Sequence, residues 1–267
     1  RRDFDLPDTY YFEGQERNLE EGLSHFKTDG LMVLHNGNLL YENYWNGNTA
    51  TSQHIAFSVT KSFVSALVGI AHQDGLIDSI EDPITKYLPD FNGTGYEGVR
   101  IKDILQMSSG VKWNEDYADP NSDINRFGRT IANGSSFRGF AKTLVREKEP
   151  GTFHHYVSID TQILGFLLAE VTGMPLKDYL YEKLWNKIGM EDEAYFIVDN
   201  NPDGTPSTLP PGLTIDNTTG ELAGKVPYQA AVTKTYQFIL TIYLKNKINF
   251  EFNFFKCHLS KRTQLLP

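Results

Sequence analysis

The chain has 267 residues, 40% of them hydrophobic, enough for a real core in one large domain or two intimately packed ones. Its formal net charge is −9 and no basic run precedes Val232, which argues against nucleic acid as a partner. No apolar run reaches the length of a membrane span, and a single cysteine, Cys257, excludes an internal disulfide framework.

Residues 1–15 are polar and aromatic with Pro7 and Gly14, and read as an arm; the opening Arg1-Arg2-Asp3-Phe4 carries no apolar signal core. Residues 17–27 read as a helix. Leu31 to His35 and Leu39 to Trp45 read as strands, with Asn36-Gly37-Asn38 as a hairpin signal between them. A helix follows from Ser58, its apolar stripe continued by Leu67, Ile70 and Ala71 and stopped at Gly75. Ile101 to Met107 reads as a short helix closed by Ser108-Ser109-Gly110. Residues 111–135, with Trp113, Tyr117, Pro120 and Gly134, read as loop. Phe137 to Glu147 reads as a helix, Pro150-Gly151 as a turn, and 152–157 as a short extended piece. Ile159, Ile163, Leu164, Leu167, Leu168 and Val171 share one side of a helix over 158–172, ended by Gly173 and Pro175. Another helix runs from Leu176 to Met190, stopped by Gly189. Residues 199–228, rich in Pro, Gly, Asn and Thr, read as a long loop.

Beyond Val232 the composition shifts to one acidic residue, Glu251, against six basic ones, and no glycine follows Gly224. Phe238 to Leu244 and Ile248 to Phe255 read as strands. A hairpin, then helices, then further strands describe an α/β part split in sequence around a helical part.

One stretch carries chemistry. Ser58 and Lys61 lie three residues apart at a helix start, so the hydroxyl and the amine share a face. An alcohol becomes a useful nucleophile only beside a base, and a lysine serves as that base only when burial or the positive end of a helix lowers its pKa. Ser24-His25-Phe26-Lys27 has the same spacing, but its flanks suit a surface helix with Lys27 solvated. The competing reading of Ser58 is a plain N-cap.

Three pieces in order add weight: Ser58-Val59-Thr60-Lys61; Leu105-Gln106-Met107-Ser108-Ser109-Gly110; and Phe153-His154-His155-Tyr156-Val157-Ser158 with Leu164-Gly165 and Glu170-Val171-Thr172-Gly173. Together they resemble the serine β-lactamase and penicillin-binding superfamily. The segment from Met107 to Asp123 is similar to the class C β-lactamase-like esterases and 6-aminohexanoate-dimer hydrolases. The resemblance implies an α/β (α+β) fold of β-lactamase/transpeptidase type, an antiparallel sheet flanked by helices plus a helical domain. Residues 1–77 and 226–267 would form the α/β part and 78–225 the mainly helical part.

It also implies roles. Ser58 would be acylated, Lys61 would take its proton or hold a neighbouring phenol ionised, and Tyr156 would shuttle the proton to the leaving group and later activate water. Tyr156 opens a Tyr-x-Ser where the family has Tyr-x-Asn. Tyr117 matches a substrate-contact tyrosine. The ligand would be a small ester or amide, with no cofactor and no metal; His154 and His155 lack a second group at ligand spacing and read as structural. The family's Lys-Thr-Gly or His-x-Gly strand has no counterpart, Lys234-Thr235-Tyr236 being the nearest string. The sheet is therefore expected to be incomplete, with a truncated or aberrant tail from Val232 and weak activity. A catalytically dead binding module on the same fold is the alternative. A Ser-His-Asp hydrolase is disfavoured by the absence of Gly-x-Ser-x-Gly.

Overall fold

The computed structural model describes residues 5–132, 135–190, 192–194, 196, 198–199, 213–215 and 222–224. They fall into two compact units, one built around residues 5–54 and the other around residues 55–187.

In the first unit, strand β1 (Thr9–Phe12) pairs antiparallel with β2 (Gln15–Asn18). Glu13 and Gly14 between them have φ of 51° and 74°, the double left-handed geometry of a two-residue type I′ hairpin. The expected arm is thus a hairpin. Both strands are almost wholly exposed, so no alternation of apolar and polar residues marks them, and the turn pair is their only signal. Helix α1 (Leu19–His25) is shorter than expected. Its cap is Asn18, whose side chain accepts the Glu21 N–H at 3.0 Å. Strands β3 (Gly30–His35) and β4 (Asn38–Tyr44) form the expected hairpin, with Asn36 and Gly37 at φ 49° and 74°. Most of their residues are half-buried, and none of residues 5–54 is fully buried.

The second unit holds the core. A 3₁₀ turn, Phe57–Val59, leads into α2 (Thr60–Gln73), which Gly75 ends at φ 76°. Helices α3 (Ile101–Leu105), α4 (Asp123–Ala132), α5 (Phe137–Lys142), α6 (Ser158–Thr172) and α7 (Leu176–Leu180) follow, and α7 runs on into a π-helical turn, Tyr181–Trp185. α2 buries Val64, Leu67, Val68 and Ala71; α6 buries Ile159, Ile163, Leu164, Leu167 and Leu168. The two helices pack on each other in one apolar cluster with Ile77, Leu88, Phe91, Tyr96 and Ile104. Each such aliphatic side chain contributes about 1.5–3 kcal/mol on burial.

Three further readings need correction. The stretch 111–135 is not all loop, because α4 occupies its second half. Ser122 starts α4, accepting from the Asn125 N–H, and Ile124 and Phe127 turn inward at i, i+3 spacing. The helix expected to Glu147 stops at Lys142. Leu144 and Val145 leave it to pair with other backbone: Gly95 N–H donates to Leu144 O at 3.0 Å and Lys112 N–H to Val145 O at 2.9 Å. In the stretch expected as loop over 199–228, β5 (Leu213–Ile215) pairs antiparallel with β6 (Leu222–Gly224). The strands expected at 238–244 and 248–255, and the tail from Val232, lie outside the described residues.

Candidate active site

Three stretches of the second unit converge. The first is the entry to α2. Ser58 sits in the 3₁₀ turn and Lys61 in the first turn of the helix, so their side chains project together. Phe57, just before the serine, has φ 42°, a strained value for a residue with a side chain, and that side chain is exposed.

The second and third stretches are bonded to each other. After α3, Met107 (φ 52°) and Gly110 (φ 75°) turn the chain under a strap formed by 148–157. Gly110 O accepts from Glu147 N–H at 2.8 Å and Lys148 N–H at 2.9 Å, and Gly151 N–H donates to Ser108 O at 2.8 Å. His155 is tied twice, its N–H to Met107 O at 2.8 Å and its Nε2 to Trp113 O at 2.9 Å. This makes His155 a structural histidine, as expected. Among the described residues no His, Cys, Asp and Glu cluster could hold a metal ion.

The strap delivers Tyr156 to the serine. Tyr156 OH donates to Ser58 Oγ at 2.8 Å across 98 residues of sequence, and Lys61 Nζ donates to the same oxygen at 3.0 Å. The ammonium lies 5.2 Å from the centroid of the tyrosine ring, close enough for a cation–π contact. Ser58 is exposed, Lys61 half-buried, and Tyr156 40% exposed, so the triad faces outward from this unit. The competing Ser24–Lys27 pair does not share a helix face: Ser24 is in α1, and exposed Lys27 lies beyond its end with φ 51°.

Tyr117 is 68% exposed and donates to Glu115 Oε1 at 2.9 Å. Partial burial of its hydroxyl, and then the Glu115 carboxylate, push its pKa up to about 12, so it is a neutral phenol at ordinary pH. The part Glu115 plays in this neighbourhood was not anticipated. Glu115 accepts from Trp113 Nε1 and Tyr117 OH, and also from the N–H and hydroxyl of Ser158, the first residue of α6. In the sequence Glu115 sits in the acidic run Asn114-Glu115-Asp116, which reads as a solvated loop. Only its place two residues before Tyr117 could have singled it out. Deeper in, Tyr96 OH donates to Asp160 Oδ1 at 2.8 Å in the core.

The chain is similar to several known proteins. A 6-aminohexanoate-dimer hydrolase of Paenarthrobacter ureafaciens is 30% identical over 194 residues, 70% of this chain and 49% of that protein. A protein of Escherichia coli K12 named as a candidate D-alanyl-D-alanine carboxypeptidase is 30% identical over 177 residues, 63% of this chain and 39% of that one. The chain thus spans about half the length of the curated relatives it matches, or less. Among solved structures, a candidate 6-aminohexanoate-dimer hydrolase from Bacillus anthracis superposes with a TM-score of 0.59 at 22% identity, covering 66% of this chain and 48% of that one. A class C beta-lactamase from Rhodobacter sphaeroides gives 0.51 at 20% identity, covering 78% and 56%. The family model for beta-lactamase matches residues 16–225, and by that match the chain belongs to the beta-lactamase family, with the α/β fold of the serine β-lactamase and penicillin-binding superfamily.

Proposed function

We propose that the chain is a serine hydrolase of amides or esters acting through an acyl-enzyme on Ser58. One observation carries the reading: a lysine amine and a tyrosine hydroxyl, far apart in sequence, both meet Ser58 Oγ within 3.0 Å. A plain N-cap serine needs neither group. The names of the relatives, a dimer hydrolase and a carboxypeptidase, support the same class of reaction at an acyl carbonyl.

In the proposed cycle Lys61 or Tyr156 first gives up a proton, and its hydrogen bond to Ser58 then runs the other way. As Oγ attacks the carbonyl carbon, the serine proton passes to that base, and the carbonyl oxygen becomes an oxyanion facing the Ser58 N–H. Tyr156 hands the proton to the departing nitrogen or oxygen, leaving Ser58 acylated. Water then attacks the acyl carbon and loses a proton to the same base, which passes it to Ser58 Oγ as the acyl–serine bond breaks and the acid leaves. Tyr117, a neutral phenol on the neighbouring loop, is proposed as a substrate contact.

Intact mass after mixing with a fluorophosphonate tests this without knowledge of the substrate. We expect one phosphonyl adduct on the wild type and on Ser24→Ala, and none on Ser58→Ala. Folded wild-type protein that takes up no adduct would favour a binding module on this fold.

A further inference from the structure

Tyr156 is 40% exposed, so packing alone does not hold it against Ser58. On its N-terminal side the neighbour His155 is bonded to Met107 and Trp113. On its C-terminal side the chain enters α6, a 15-residue helix whose N-cap, Val157, makes no side-chain capping bond. A helix start leaves four N–H groups without intrahelical partners and carries partial positive charge. Here the carboxylate of Glu115, 43 residues away in sequence, supplies the missing acceptor.

The acceptor count is full. Glu115 Oε2 takes Trp113 Nε1–H and Ser158 N–H; Oε1 takes the hydroxyls of Tyr117 and Ser158. A carboxylate has about four lone-pair sites, so this one has none left for a substrate proton. It is built to hold other groups in place. From these contacts we propose that Glu115 is a positioning residue for the hydrolysis: it ties Ser158 and the first turn of α6 to the Trp113–Tyr117 loop, and so keeps Tyr156 on Ser58 Oγ. The proposal rests on the hydrolase reading above. Its physical basis is that a displacement of about 1 Å at a reacting group can cost on the order of 10²-fold in rate.

The test is a double-mutant cycle read through fluorophosphonate capture at Ser58. Glu115→Gln keeps the shape but replaces one acceptor oxygen with a donor NH₂. It should lower the maximal capture rate about 10–100-fold, with the half-saturating concentration changed less than about 3-fold. On a Tyr156→Phe background the same substitution should cost less than about 3-fold, because the group it positions is gone. Hydrogen exchange gives an independent readout: the Ser158 amide should exchange faster in Glu115→Gln, while amides at Leu164 to Leu168 keep their protection. If Glu115→Gln does not fold, Ser158→Ala, which removes only the hydroxyl contact, carries the same cycle with a smaller effect. Costs that multiply on the two backgrounds, or an unchanged Ser158 amide, would overturn the role of Glu115 while leaving Ser58 as nucleophile. A wild type that forms no adduct would instead overturn the hydrolase reading itself, and this role with it.

Discussion

At the scale of single residues, Ser58 Oγ has two hydrogen-bond donors on one oxygen. In the proposed cycle Lys61 and Tyr156 serve one proton transfer, and groups that act as a unit lose its function when either is removed. Lys61→Ala and Tyr156→Phe should therefore each lower capture or ester turnover, and the double variant should cost about as much as the worse single one. Costs that simply multiply would show two independent groups. Phe57 makes a second residue-scale case. Its φ of 42° costs about 1–2 kcal/mol for a residue with a Cβ, and its ring is 70% exposed, so little packing compensates. Phe57→Gly relieves that strain and Phe57→Ala does not; the glycine variant should unfold at or above the temperature of the alanine one. A glycine variant clearly less stable than the alanine one would show that the φ is not strained.

At the scale of elements, the site depends on how closely the 107–113 turn meets the strap that carries Tyr156. A Cβ on Gly110 would lie 2.1 Å from the Lys148 carbonyl oxygen, on a backbone already at φ 75°. Gly98 has a similar φ, 71°, with nothing within 4 Å of its Cβ position. Gly98→Ala should thus cost only the conformational term, about 1 kcal/mol, whereas Gly110→Ala must also displace backbone and should cost several times more in a urea titration. Equal midpoints would mean the strap can shift freely.

The same elements show what a sequence can carry. α2, α6 and the β3–β4 hairpin were legible because burial imposes a period on Val64, Leu67 and Ala71, and Asn36-Gly37 imposes a turn. α4 was hidden by its Asn, Arg and Gly128, and β1–β2 by having no buried face. The overlong α5 was a tertiary effect, since Leu144 and Val145 bond to Gly95 and Lys112 rather than continue the helix. Within the site, the spacing of Ser58 and Lys61 announced itself. The partnership with Tyr156 was legible only as one member of a family pattern. Glu115 was not legible, because four donors from three places converge on it only in the folded chain.

At the scale of the whole molecule, every fully buried side chain among the described residues belongs to the unit around residues 55–187. That core contains an ionisable group, Asp160, two residues inside α6. Burial pushes its pKa from 3.8 up to about 7, against the opposing effect of hydrogen bonds from Tyr96 and Ser109. The folded chain then holds this proton between about pH 4 and pH 7 while the unfolded chain releases it. Unfolding stability therefore falls as pH rises through that window and levels off above about pH 7. A shift of roughly three units corresponds to at most about 4 kcal/mol. Carboxylates with the opposite shift, such as Asp90 held down by Arg138, then by Lys142, titrate below this window and cannot mimic it. Asp160→Asn makes the group permanently neutral with nearly the same shape, still able to accept from Tyr96. In urea titrations at pH 5 and pH 8, the wild type should lose more stability than Asp160→Asn on going to the higher pH, and the variant should be the more stable of the two at pH 8. The same pH dependence in both proteins would mean that Asp160 is already ionised in the folded chain at pH 5, with its charge held by Tyr96 and Ser109.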